Sequence, residues 1–176
     1  MKLYRFSPLK TKAQLLEAIK HIHFSCHHLC KQSFNKYLPN AGNMGVFCHY
    51  EHEYKFLTKL REQLTEPSDN FNQKYYRLHE PIIIPARADV PKTIYTYLYI
   101  RQPDPYRYQV GDVDFFLEPD KYSKLKNSLL SGAGIKGVRA FNRADLDMIE
   151  LFDPDIDALA YVSTHKMAEK VRARTV

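Results

Sequence analysis

Two aspartates, Asp112 and Asp114, stand one residue apart in the apolar run "GDVDFFL". In a strand their side chains share one face, while Val113, Phe115 and Leu117 share the other. Paired carboxylates suit hard divalent cations, and nucleotidyl transfer holds two metal ions with this Asp-apolar-Asp pattern. That chemistry also calls for a Gly-Ser turn upstream, where this chain reads "YIRQPD". A second such pair, Asp145 and Asp147 in "ADLDM", follows "SGAG". Neither context matches, so nucleotidyl transfer ranks below a groove that works without metal.

Histidines and cysteines cluster in "HIHFSCHHLC", residues 21–30. His23/His27 and Cys26/Cys30 are i,i+4 pairs that could share a metal on a helix. Cys26 and Cys30 also fall on the apolar stripe, where small core residues belong, and no second pair with finger spacing follows. A structural role is therefore favoured. His49, at the end of a short strand, is the best placed histidine for acid–base work, and a surface strand-end histidine is the plainer alternative. In His79–Glu80–Pro81, adjacent strand residues face opposite ways, which favours a structural corner.

The elements that must position these groups follow from periodicity. Helical spacing of Leu15, Ile19, Ile22, Cys26, Leu29 and Tyr37 predicts a helix over 11–38, stopped by Pro39. "MGVFCHY" predicts a strand at 44–50, and "EHEYKFLTKLREQL" an amphipathic helix with Glu53, Phe56, Leu57, Leu60 and Leu64 on one side. "KYYRLHEPIIIP" gives one strand, or two broken near Pro81, and "TIYTYLYIRQ" the clearest strand of all. After the strand carrying Asp112 comes a helix, with Pro119 suited to its first turn. Three short strands follow, near 138–141, 147–152 and 158–163, and then a basic tail, 164–176.

Alternation divides each strand into an aliphatic face and a mixed face. The mixed faces carry Asn43, Phe47 and His49; Tyr95, Tyr97, Tyr99 and Arg101; and Asp112 and Asp114. Such a surface is too polar for a closed core and suits the lining of a ligand groove. An exposed antiparallel face with cross-strand tyrosine pairs fits the same pattern. The tyrosine stripe could also stack the bases of a single-stranded nucleic acid, although Asp112 and Asp114 would repel its phosphates.

Composition narrows the classes. The 176 residues carry a net charge of +6, with basic residues scattered rather than run together, as on a solvated surface. Three cysteines are too few and too odd in number for a disulfide framework. The apolar runs are short and the start lacks a signal-like core, so a cytoplasmic protein with no membrane segment is expected.

The order of elements, strand–helix–strands given twice after a first helix, resembles the duplicated modules of the vicinal oxygen chelate superfamily, which includes glyoxalase I, extradiol dioxygenases and bleomycin-resistance proteins. "DMIELFDPDIDALAYV" resembles that superfamily's DPDGN-type turn and final strand. "VFCHYEHEYKFLTKLREQL" and "RLHEPIII" are similar to the first strand and helix and the "KLHEPV" run of its small YecM-like branch, a likeness spanning about residues 10–130. Catalytic members bind a divalent metal through His and Glu. Here those positions fall near Asn43, near Arg101, at Asp112 and near Ala160, so three of the four departures remove a usual ligand. Arg101 also brings a permanent cation.

The resemblance and the patterns together imply an α+β fold. Paired βαβββ modules would form a curved mixed sheet with helices on its convex face. A helical extension (1–40) precedes a first module (41–109) and a second module with its tail (110–176), all in one compact unit. The expected function is binding of a small polar or aromatic molecule in a degenerate, metal-free groove. Two alternatives stay open: a divalent-metal-dependent lyase- or dioxygenase-like enzyme, and a single-stranded nucleic-acid module. Asn43, Phe47, Tyr95, Tyr97, Tyr99, Arg101 and Asp114 are the expected ligand-binding residues, with His49 or Asp112 as the base. Arg101 and Asp112 are expected to form an ion pair where the metal would sit.

Overall fold

The computed structural model describes residues 4–143 and 146–173, without the side chain of Asn142. Helix α1 spans Lys12–Phe34. Thr11 caps it, its hydroxyl accepting from the Gln14 amide at 3.1 Å. It ends before Pro39 because Asn35 adopts the left-handed conformation, φ 54°, and its N–H closes on the Lys31 carbonyl. Leu15, Ile19, Ile22, Cys26 and Leu29 form its buried stripe.

The remaining elements are β1 (Asn40–Phe47), α2 (Glu51–Leu64), β2 (Tyr76–Ile84), β3 (Thr93–Arg101), β4 (Gly111–Leu117), α3 (Pro119–Leu130), β5 (Val138–Asn142), β6 (Asp147–Leu151), β7 (Leu159–Thr164) and α4 (His165–Lys170). The strands make one open seven-stranded sheet, in the order β2-β3-β1-β4-β7-β6-β5. β1 lies antiparallel to β4 at the centre. On either side of this pair a parallel strand follows, β3 beside β1 and β7 beside β4. The two halves are thus built alike. In the first, β2 stands where the second has two strands, and its pairing with β3 is interrupted between Arg77 and Ile82, around Pro81.

Helices α1, α2 and α3 cover one face. Met44, Val46, Leu98, Ile100, Val113 and Phe115 lie buried among their side chains. On α2 the buried residues are Glu53, Leu57 and Arg61, so the expected stripe is turned and Phe56 is left exposed. Two contacts cause this. The Glu53 carboxylate accepts from the Leu9 and His49 amides, both at 2.8 Å, and the Arg61 guanidinium lies 3.6 Å from the centre of the Tyr76 ring. Charged groups go inside where they find partners.

The basic tail forms a last helical stretch, α4, and folds back onto the sheet. α4 packs on the other sheet face, against β1, β4 and β7. The backbone carbonyl of Arg172, just past α4, accepts from the Lys74 and Tyr75 amides at 2.7 and 2.9 Å. The face opposite α1 is therefore closed at one end, and what stays open is a groove.

Candidate functional site

The groove floor is set by one close approach. Register places Gly45 of β1 against Asp112 of β4. A Cβ at position 45 would fall 1.8 Å from Asp112 Oδ1, so the carboxylate needs a glycine beside it. Asp112 is 5% exposed and, among the described residues, accepts one long hydrogen bond, from the Tyr75 hydroxyl at 3.4 Å. Burial raises its pKa, and the charges of Lys74, Arg101 and Arg107 oppose that rise.

Asp114, 1% exposed, lies deeper. Its Oδ2 accepts from Asn43 Nδ2 at 2.7 Å, and the same amide donates to the Ala168 carbonyl of α4 at 2.8 Å. Arg172 Nε donates to Asn43 Oδ1 at 3.0 Å, while its guanidinium lies 3.8 Å from the centre of the Tyr97 ring. Burial, and then the charge of Asp112, push the Asp114 pKa up to about 7. Two buried neighbouring carboxylates do not both ionise readily, so the pair holds a proton near neutrality.

The walls come from both halves. Phe47, Tyr99 and Arg101 line one side, Phe141, Met148, Glu150 and Tyr161 the other, and Lys74, Tyr75 and Arg107 reach in from loops; together they enclose about 330 Å³. Glu150 is engaged by Arg139 and by the Tyr161 hydroxyl, the latter at 3.2 Å. Arg101 pairs with Asp104 at 2.8 Å, and Arg107 approaches the same Asp104 oxygen at 3.5 Å.

Phe47, Tyr99, Arg101, Asp112 and Asp114 thus share one groove, with Asn43 supporting its floor. The expected Arg101–Asp112 ion pair does not form. Both side chains line the groove, but Arg101 turns to Asp104, three residues along its own chain. Tyr95 is on the wrong face. It is fully buried beneath α1, its hydroxyl 2.8 Å from His23 Nδ1. Strict alternation fails between Tyr95 and Leu98, both of which are buried in the core on the helix-covered face. Gly42, at φ 83°, marks a matching irregularity in β1, beside Thr96. Tyr97 is covered by Arg172. The tyrosine stripe is therefore broken up, and only Tyr99 of the three reaches the groove.

His49 also lies elsewhere. β1 ends at Phe47, so alternation does not carry to residue 49. The ring stacks on Tyr4 at 3.7 Å, and Nδ1 shares a 2.7 Å hydrogen bond with Ser7. In the 21–30 segment, His23, His27 and Cys26 are packed into the core. His27 Nδ1 bonds the His23 carbonyl at 2.8 Å, Cys26 donates to the Leu159 carbonyl at 3.0 Å, and burial lowers the His23 pKa to about 3. Asp145 of the second aspartate pair lies outside the described residues, and Asp147 bonds Tyr122 and Lys126 at 2.7 and 2.8 Å. Among the described residues, no three His, Cys, Asp or Glu side chains come together to hold a metal ion.

Sequence reasoning missed Lys74, Tyr75, Arg107, Glu150 and Tyr161. Alternation in β6 and β7 carried a signal for Glu150 and Tyr161, which stand between aliphatic neighbours. Lys74 and Arg107 sit on loops, where no periodicity aims them. Chemically, the groove offers cations along one wall, a poorly served carboxylate on its floor, and a deeper carboxylate that titrates near neutrality.

No family model and no curated protein matches this chain. Among solved structures it is similar to one called Structural Genomics, Protein EC4020, with a TM-score of 0.59 at 14% identity, covering 98% of this chain and 97% of that one. At that identity the likeness concerns the fold alone.

Proposed function

We propose that this protein binds a small polar or aromatic molecule in the groove between its two halves, and that it is a metal-free relative of the vicinal oxygen chelate superfamily, on the YecM-like side. One observation carries the reading: Arg101, Arg107 and Lys74 line the same groove as Asp112. The superfamily's divalent metal does not fit this donor set. The position near Arg101 brings a fixed cation, the Asn43 amide is committed to Asp114 and α4, and the groove-facing residue beside Ala160 is a tyrosine whose hydroxyl is bonded to Glu150. If chemistry occurs, the Asp112–Asp114 pair supplies the base and the cations orient an anionic group.

The buried free thiols Cys26, Cys30 and Cys48 support a reducing, cytoplasmic setting. Among the described residues no helix is long and apolar enough to cross a membrane. The single-strand reading loses its main support with Tyr95 under α1 and Tyr97 under Arg172.

The test joins elemental analysis of the purified protein with a thermal-shift screen of small polar and aromatic compounds. The expected result is a metal content far below one per chain, and a stabilising compound whose effect is lost in Arg101→Ala. Stoichiometric metal, or hits indifferent to both Arg101→Ala and Asp112→Ala, would contradict the proposal.

A further inference from the structure

The groove is charged unevenly, and that unevenness selects a ligand. Arg101 and Arg107 share one carboxylate, Asp104, at 2.8 and 3.5 Å, which leaves positive charge in excess on that wall. Lys74 adds to it. Its ammonium lies over the rings of Tyr99 and Tyr75, 4.9 and 5.4 Å from their centres, and among the described residues it makes no ion pair. An anion meeting this wall would gain charge-assisted hydrogen bonds that the protein leaves unused.

The floor asks for the opposite partner. Glu150 is bonded by Arg139 and Tyr161, and Asp114 by Asn43. Among the described residues, Asp112 has only the Tyr75 hydroxyl, at 3.4 Å, well beyond an ordinary O–H···O length. A carboxylate 95% removed from solvent, lining a groove and so poorly served, has capacity for a donor from a ligand. Between wall and floor stand Phe47 and Tyr99 from one half, and Phe141 and Tyr161 from the other. These rings suit a planar body.

We infer that the groove takes a small organic anion on a planar body that also carries a hydrogen-bond donor, hydroxyl or ammonium. Lys74 and Arg107 hold the anion, and Asp112 accepts from the donor. The inference rests on the groove being a binding site, and it goes further in naming a two-ended ligand.

Isothermal titration near neutral pH with matched aromatic probes tests it. 4-Hydroxyphenylacetate carries the anion and a hydroxyl, and 4-(aminomethyl)benzoate the anion and an ammonium. Phenylacetate and 4-methylphenol are the halves of the first, and 4-methylbenzoate and benzylamine the halves of the second. At least one two-ended probe is expected to bind about tenfold tighter than either of its halves, as one hydrogen bond to a charged group provides. Which of the two does so identifies the donor. Asp112→Asn is expected to erase most of that advantage while phenylacetate still binds, and Lys74→Ala to weaken every anionic probe. Melting curves without probe establish that both variants fold, and the wild-type ratios stand without them. One-ended probes that bind as tightly as two-ended ones would overturn the inference and leave the groove a binding site. An undiminished two-ended advantage in Asp112→Asn would overturn it too. If no probe binds the wild type at millimolar concentration, the inference falls, while the wider reading falls only if the thermal-shift screen is also empty.

Discussion

Asp114 lies behind Asn43, one layer from α4, with a pKa near 7. Its folded-state pKa is raised above the ordinary carboxylate value, so its contribution to stability is full below about pH 4 and is lost as pH rises towards 7. His23 works in the opposite sense, because its pKa is lowered: stability is lost as pH falls from about 6.5 towards 3. Asp114→Asn isolates the first effect. The variant is expected to gain on the order of 2 kcal/mol or more over wild type at pH 8, and none at pH 4, in urea denaturation. An equal difference at both pH values would show that Asp114 is not the group concerned. Gly45→Ala tests the floor differently. Its methyl must displace the Asp112 carboxylate, for a loss of about 1–3 kcal/mol and of probe binding. At this scale the sequence was informative wherever a strand was regular. Asp112, Asp114, Tyr99 and Arg101 follow from alternation alone. Tyr95 does not, because an irregularity beside Gly42 and Thr96 turns it towards α1, and periodicity carries no mark of that slip.

Among the elements, α1 and α4 press on the sheet from opposite faces. Ile22 of α1 is fully buried, and a Cβ at Gly111 would come within 2.4 Å of its Cδ1, so helix and strand are in close contact there. Ile22→Ala should cost about 2–5 kcal/mol in a denaturant titration. Arg172, just past α4, ties three parts of the protein together: its side chain bonds Asn43 and the Ala41 carbonyl at 3.0 and 3.2 Å, and its carbonyl accepts from Lys74 and Tyr75. Arg172→Ala removes the side-chain bonds. It should therefore cost about 1–3 kcal/mol and increase amide exchange at residues 73–75. The periods of the helices and strands were readable, and so was their order. The placement of α4 was not, because a short polar, basic segment looks the same in solvent as against a sheet whose own face is polar.

In the whole molecule, two like halves meet at β1 and β4, and the groove lies where both present their mixed faces. The duplication was legible as a repeated order of elements. The single strand β2 where the second half has two, and the cations that loops bring into the groove, follow from tertiary packing that local pattern does not encode. A small molecule is expected to bind in that groove. Amide chemical-shift mapping during titration with 4-hydroxyphenylacetate measures this directly. Shifts should concentrate at Tyr75, Tyr99, Asp112 and Tyr161, drawing on both halves at once, with α1 unmoved. Shifts confined to the α1 face, or none at saturating probe, would contradict the account.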